Sequence, residues 1–176
     1  MIGDVGYAGL RVEDIAAEAK VAKSSLYRRW SSKSALVVSV VEELFAQRGV
    51  VVPGNHDVWT DLESLMRRLT WSLRDTRLGA ALVGLVFERG HDPELRSTFD
   101  AVWAERRQNV VTVLQTGVDR GQIRSDVDLD LLADLLAGLF YYRLLISNGD
   151  LSDEVAAQVL ALVRRGVGVS PVRDDG

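Results

Sequence analysis

The 176-residue chain has no cysteine, which excludes disulfides, thiol nucleophiles and cysteine-ligated zinc together. Its two histidines, His56 and His91, are too far apart for a local metal motif such as HExxH. No serine sits in a nucleophile elbow, and no glycine-rich phosphate loop precedes a helix. No cofactor or metal is implied, and an enzyme built on a helical bundle is disfavoured. A signal peptide is also lacking, because the first residues carry no basic segment followed by an apolar run; the expected location is cytoplasmic. The most apolar segment, Leu129 to Ile146, contains Asp130, Asp134 and Arg143. Each costs about 2.5–3.5 kcal/mol near a bilayer centre, so a membrane span is rejected.

The most telling absence is local. From Lys20 to Lys33 there is no acid, while Lys20, Lys23, Arg28, Arg29 and Lys33 are basic. The whole chain carries a net charge of −4 and a pI near 5.2. A basic island on an acidic protein is an electrostatic footprint for a polyanion. The same stretch has helical order. Val12, Ile15, Ala16 and Ala19 share one helix face, with Glu13 and Asp14 in the first turn, where the helix dipole favours acids. Lys20 and Val21 make a turn, with Val21 expected as a buried plug. A second helix runs from about Ala22 to Trp30, anchored inward by Leu26 and Trp30. Lys23, Ser24, Ser25, Tyr27 and Arg28 are left facing outward, suited to base edges and phosphates in a major groove. Ser31, Ser32 and Lys33 open a third helix, whose amides and Lys33 suit a phosphate. This is the pattern of a helix-turn-helix, and double-stranded DNA is the partner it implies.

The strings Gly6-Tyr7-Ala8-Gly9-Leu10, Val12-Glu13-Asp14-Ile15-Ala16, Leu26-Tyr27-Arg28-Arg29-Trp30 and Ser32-Lys33-Ser34-Ala35-Leu36 resemble the N-terminal domain of the tetracycline-repressor (TetR) family over residues 4 to 45. The resemblance implies an all-α, homodimeric transcriptional regulator, usually a repressor. Its C-terminal domain binds a small molecule, which releases a palindromic DNA operator. Lys23, Ser24, Ser25, Tyr27, Arg28 and Lys33 are the expected DNA contacts. The chain departs from the family pattern at Arg11, which stands where Thr or Ser usually caps a helix, at about 1 kcal/mol. Lys20 replaces a turn glycine, and Ala22 replaces a capping serine. Only Met1 to Val5 precede the Gly-Tyr segment, so the family's first helix is expected to be cut short. A small-molecule-binding helical dimer that has lost DNA binding is the alternative.

Two regions follow: a DNA-binding domain at 1–48, and a ligand-binding and dimerisation domain at 49–176. At 47% hydrophobic and 26% charged residues the chain can bury a core and remain soluble. Helix four is expected from Lys33 to Gln47, with Leu36, Val37, Val40, Val41 and Leu44 inward. Gly49 to Asn55 is the linker, with Pro53-Gly54 as its turn signal. Helix five covers Val58 to Arg74. Helix six, Gly79 to Glu88, is apolar nearly all round and is expected to be central and buried. Asp92-Pro93 starts helix seven, with His91 and Asp92 as caps, and Gly121 ends it. Asp126, Asp128 and Asp130 lack the glycine and glutamate of an EF-hand loop and read as the cap of helix eight.

Helices Leu129–Ile146 and Ser152–Gly166 carry more apolar surface than one core needs, which calls for a second copy. Leu132, Leu136, Leu139, Phe140, Val155, Val159 and Leu162 are the expected dimer residues. Met66, Trp71, Phe87, Phe99 and Trp103 are candidates for lining an apolar pocket, which points to a lipophilic effector.

Overall fold

The computed structural model describes residues 2–46 and 57–169. The helices are α1 (Ile2–Gly9), α2 (Val12–Glu18), α3 (Lys23–Arg29), α4 (Lys33–Ala46), α5 (Val58–Arg74), α6 (Thr76–Glu88), α7 (Pro93–Asp119), α8 (Leu129–Tyr142) and α9 (Asp153–Val167). No strand occurs among the described residues, so the all-α expectation holds. The expected linker at 49–55, with Gln47 and His56, lies outside the described residues.

The chain divides into two compact units, Met1–Gly49 with Ser72–Glu105, and Val50–Trp71 with Arg106–Gly176. Helices α5 and α7 therefore each contribute residues to both. In the first unit α6 packs against α1 and α4. Its core is built from Tyr7, Leu10, Val12, Leu36, Val37, Val38, Val41, Leu78, Leu82, Leu85, Leu95 and Phe99. The opening segment does form α1, but Gly6 interrupts it with φ 68° and ψ 173°. That conformation is open to glycine and strained for other residues.

Helix α2 stops at a Schellman turn. The Val21 amide bonds to the Ala16 carbonyl at 3.0 Å and the Lys20 amide to the Ala17 carbonyl at 3.1 Å, with Lys20 left-handed at φ 55°. A lysine thus occupies the position where glycine avoids a Cβ clash. The turn leaves Val21 43% exposed, so it is not the buried plug its sequence position suggested. Ala19, the C-cap, is exposed as well. Helix α4 buries Ser34, Val37, Val38 and Val41, one stripe at helical spacing. Val40, expected inward, is 47% exposed, while Leu36 one turn before it is buried.

Helix α6 begins at Thr76, three residues before the expected start. The Asp75 carboxylate accepts from the Leu78 amide at 3.2 Å and so caps an earlier turn. The helix is not wholly buried, since Val83 and Phe87 are exposed. Asp92 caps α7 as expected, accepting from the Glu94 and Leu95 amides at 3.0 and 2.9 Å. Pro93 takes the first helical position.

The second unit is built around Val58, Trp59, Leu62, Met66, Val113, Leu114, Ile123, Leu132, Leu136, Phe140 and Leu160. Helix α7 ends in the same Schellman geometry as α2, this time with Gly121 at φ 66°. Asp128 caps α8 through the Leu131 amide at 3.0 Å, as the acidic cluster suggested. Ser152 caps α9 through the Val155 amide at 3.4 Å. Arg107 on α7 clamps α8, reaching Asp134 at 2.7 Å and also the Asp130 carboxylate. After Tyr142 the chain widens into a π-helical turn, Arg143–Ser147, closed by Asn148 in the left-handed region. The residues read as dimer contacts divide. Leu132, Leu136 and Phe140 are buried inside the protomer and Leu139, Val155 and Val159 are partly buried, while Leu162 is 63% exposed. The apolar side chains that α8 and its π turn expose are Leu131, Leu135, Tyr142 and Ile146. Sequence periodicity found two apolar faces, and packing of α8 on its own unit used the other one.

Two predictions test this architecture. A Cβ at Gly117 would stand 2.7 Å from Val58 Cγ2 and 2.9 Å from Ile123 Cδ1, and the stiff β-branched Val58 cannot swing away. Gly117→Ala should lower stability by about 1–3 kcal/mol in a denaturant melt, despite alanine's better helix propensity. Lys20→Gly should raise stability by about 1 kcal/mol, because it removes the left-handed strain at the end of α2; an unchanged or lowered midpoint would contradict the strain.

Candidate nucleic-acid interface

The reader is two seven-residue helices, α2 and α3, joined by the Lys20 turn. Neither has a side-chain N-cap: Arg11 and Ala22 precede them in extended backbone without a capping bond. No residue of α3 is fully buried, and Leu26, like Trp30 after the helix, is partly buried. The Arg29 guanidinium lies over the Trp30 ring at 4.8 Å, which leaves Arg28 as the freely presented arginine of this helix.

On the outer side Lys23, Ser24, Tyr27 and Arg28 are exposed and Ser25 is partly so. Tyr27 is 45% exposed, with the Lys23 ammonium 5.6 Å from its ring centre. Lys33 stands at the first position of α4. Its ammonium lies 4.3 Å above the Tyr7 ring and 3.5 Å from the Ala8 carbonyl. The preceding Ser32 caps α4 through the Ala35 amide at 3.1 Å. All six expected contact residues therefore come from α3 and the start of α4.

Sequence reading missed one feature of this surface. The Lys23 ammonium is paired with the Glu13 carboxylate across the turn. That bond holds the Glu13 carboxyl below the usual carboxylate range and raises the Lys23 ammonium. Part of the charge expected to face a phosphate is thus already balanced. The pair lies ten residues apart on two helices, so no i,i+4 spacing announces it.

The five candidate pocket residues are dispersed. Met66 and Phe99 are buried, and Trp103 stacks on Phe99 with ring centres 3.9 Å apart. Trp71 is 54% and Phe87 70% exposed, so neither is enclosed. The described cleft lies elsewhere, in the second unit: about 630 Å³, lined by Asp57, Trp59, Gln122, Arg164, Arg165 and Val169 among others.

The reader's sequence, residues 1–40, matches the family described as bacterial regulatory proteins of the tetR family. Residues 52–163 match the tetracyclin repressor-like C-terminal domain. The chain belongs to the TetR family of transcriptional regulators.

Its relatives agree on regulation and not on catalysis. The regulator is 33% identical over 150 residues to an uncharacterized HTH-type transcriptional regulator, Mb1581, of Mycobacterium bovis, covering 84% of this chain and 72% of that one. It resembles the crystal structure of the TetR-family regulator SCO0332 with a TM-score of 0.74 and 30% identity, over 97% of this chain and 94% of that one. A likeness in fold alone links it to a Bacillus subtilis FadR solved with stearoyl-CoA, at TM-score 0.70 and 19% identity over 94% and 92% of the two chains. No helix among the described residues of the regulator is long and apolar enough to cross a membrane.

The Glu13–Lys23 pair makes a prediction about the outer surface. Glu13→Gln removes a negative charge from beside the residues expected to face DNA and frees Lys23. It should tighten DNA binding about threefold to tenfold at low salt and steepen the salt dependence. Fluorescence anisotropy with a labelled duplex measures both quantities, and weaker binding by the variant would show that Glu13 serves the interface.

Proposed function

We propose that the regulator is a homodimeric repressor, bound to a palindromic operator and released by a lipophilic small molecule. The observation that carries this reading is the outward face of α3, where Lys23, Ser24, Tyr27 and Arg28 are exposed beside Lys33 and little apolar surface competes. Serine and lysine at the start of such a helix reach base edges, and Arg28, Tyr27 and Lys33 hold the backbone.

Dimerisation is supported by the exposed Leu131, Leu135, Tyr142 and Ile146 of α8 and its π turn, and by Leu162 of α9. Gly138, on the same helix, has nothing within 4 Å of where a Cβ would stand, so a partner helix could approach there. A second copy would set two readers about one helical turn apart, roughly 34–36 Å. An effector that binds better to a spacing mismatched to the operator lowers DNA affinity by that difference. The stearoyl-CoA held by the FadR neighbour supports an effector with an apolar part.

The test is binding to the DNA just upstream of the protein's own coding sequence, across a salt series. Expected is tight binding that resists unrelated competitor DNA and falls steeply with salt, in proportion to the phosphates neutralised. Tyr27→Ala and Lys33→Ala combined in one chain should abolish it with the dimer intact. A second reading, a ligand-binding helical dimer without DNA binding, is favoured by the uncapped α2 and α3 and the neutralised Lys23. No competitor-resistant binding at any salt concentration would support that reading instead.

A further inference from the structure

One carboxylate, far from the reader in sequence, reaches its phosphate-facing end. Asp92 uses Oδ1 to cap α7 and Oδ2 to accept a hydrogen bond from the Tyr7 hydroxyl at 3.1 Å. Tyr7 is 5% exposed, and its ring lies beneath the Lys33 ammonium. Burial, followed by the bond to Asp92 and that residue's charge, pushes the Tyr7 phenol well above its ordinary value; Ser34 on α4 opposes this slightly. Asp92 in turn is lowered, first by the Leu95 amide, and also by Tyr7 and by the charge of Lys33. Ser34, buried in the first turn of α4, shares a hydrogen bond with the capping Ser32 at 2.8 Å. The first turns of α4 and α7 therefore meet at Tyr7, with Lys33 on its ring and Asp92 on its hydroxyl.

We propose that Asp92 and Tyr7 are positioning residues for DNA binding: the bond between them fixes the ring on which Lys33 rests and so aims Lys33 at the backbone. The inference rests on the regulator reading and adds the first turn of α7 to the reader. Tyr7 is enclosed, so it acts only through Lys33. A hydroxyl with no role beyond core satisfaction would make a different prediction, since its loss would lower stability and leave the reader's charge where it was.

The test uses Tyr7→Phe, which keeps the ring and deletes the bond. The chain has only three lysines, Lys20, Lys23 and Lys33, so ¹³C-lysine labelling gives a spectrum in which Lys33 is recognised by its ring-current shift and by its loss in Lys33→Ala. Tyr7→Phe should move the Lys33 signals toward those of Lys20, because the ring is no longer held. On the upstream duplex it should weaken binding about fivefold, the size of one net hydrogen bond. In a Lys33→Ala background the same substitution should change affinity less than twofold, since coupled residues do not add. Asp92→Asn, which keeps the α7 cap, should reproduce the Lys33 shift in part. Unmoved Lys33 signals, or a Tyr7→Phe loss that is undiminished without Lys33, would overturn the inference. Failure of the wild-type chain to bind any duplex, with the Lys33 shift present, would instead overturn the regulator reading and leave a lysine positioned for another anion.

Discussion

The DNA-reading end depends on the packing of α6 against α1 and α4. The reader cannot hold itself together. Helices α2 and α3 have seven residues each, far below the length at which an isolated helix is stable, and both lack side-chain caps. Only Val12 and Ala16 of these two helices are fully buried. Their order is borrowed from a core to which α6 contributes Leu78, Ala81, Leu82 and Leu85 and α4 contributes Val37, Val38 and Val41. A short helix with no buried residue can present nearly its whole outer side to a partner. The same dependence makes the reader sensitive to anything that shifts α6.

Electrostatics adds a second constraint. A protein at net −4 repels DNA as a whole, so the attraction must be concentrated. All three lysines fall in residues 20–33, and every acid of the chain lies outside that stretch. Two of those lysines are tethered rather than free, Lys23 by Glu13 and Lys33 by the Tyr7 ring. Tethering costs some charge and saves side-chain entropy, which is near 2 kcal/mol for a free lysine. For a contact that must form in one register this is a gain in specificity more than in raw affinity.

What sequence revealed and what it did not separate along one physical line. Caps and stops are local chemistry: Asp92, Asp128 and Gly121 were all legible, because each acts within a few residues of itself. The reader was legible for the same reason, as a basic string at fixed spacing with a family's residues around it. Burial is not local. Val21, Val40, Val83 and Phe87 are as apolar as their buried neighbours, and only the path of distant helices decides that they face outward. On α8 the pattern gave more than one apolar face, and the stripe of Leu132, Leu136 and Phe140, read as facing a second copy, is the one the protomer buries. The Tyr7–Asp92 bond, spanning 85 residues, had no sequence signal beyond the presence of a capping aspartate.

Helix α7 brings these strands together. It is 27 residues long, about 40 Å at 1.5 Å per residue, and its first part belongs to one unit while the rest belongs to the other. At one end Asp92 both caps it and holds Tyr7; toward the other, Gly117 packs against Val58 and Ile123 at a distance no side chain would allow. Both ends are therefore fixed to their surroundings by contacts with little slack. Arg107, in the middle, adds a fork to Asp130 and Asp134 that ties the same helix to α8, which carries the exposed apolar side chains. Each stretch of α7 is thus fixed within its own unit, by Asp92 and Tyr7 in the first and by Gly117 and Arg107 in the second.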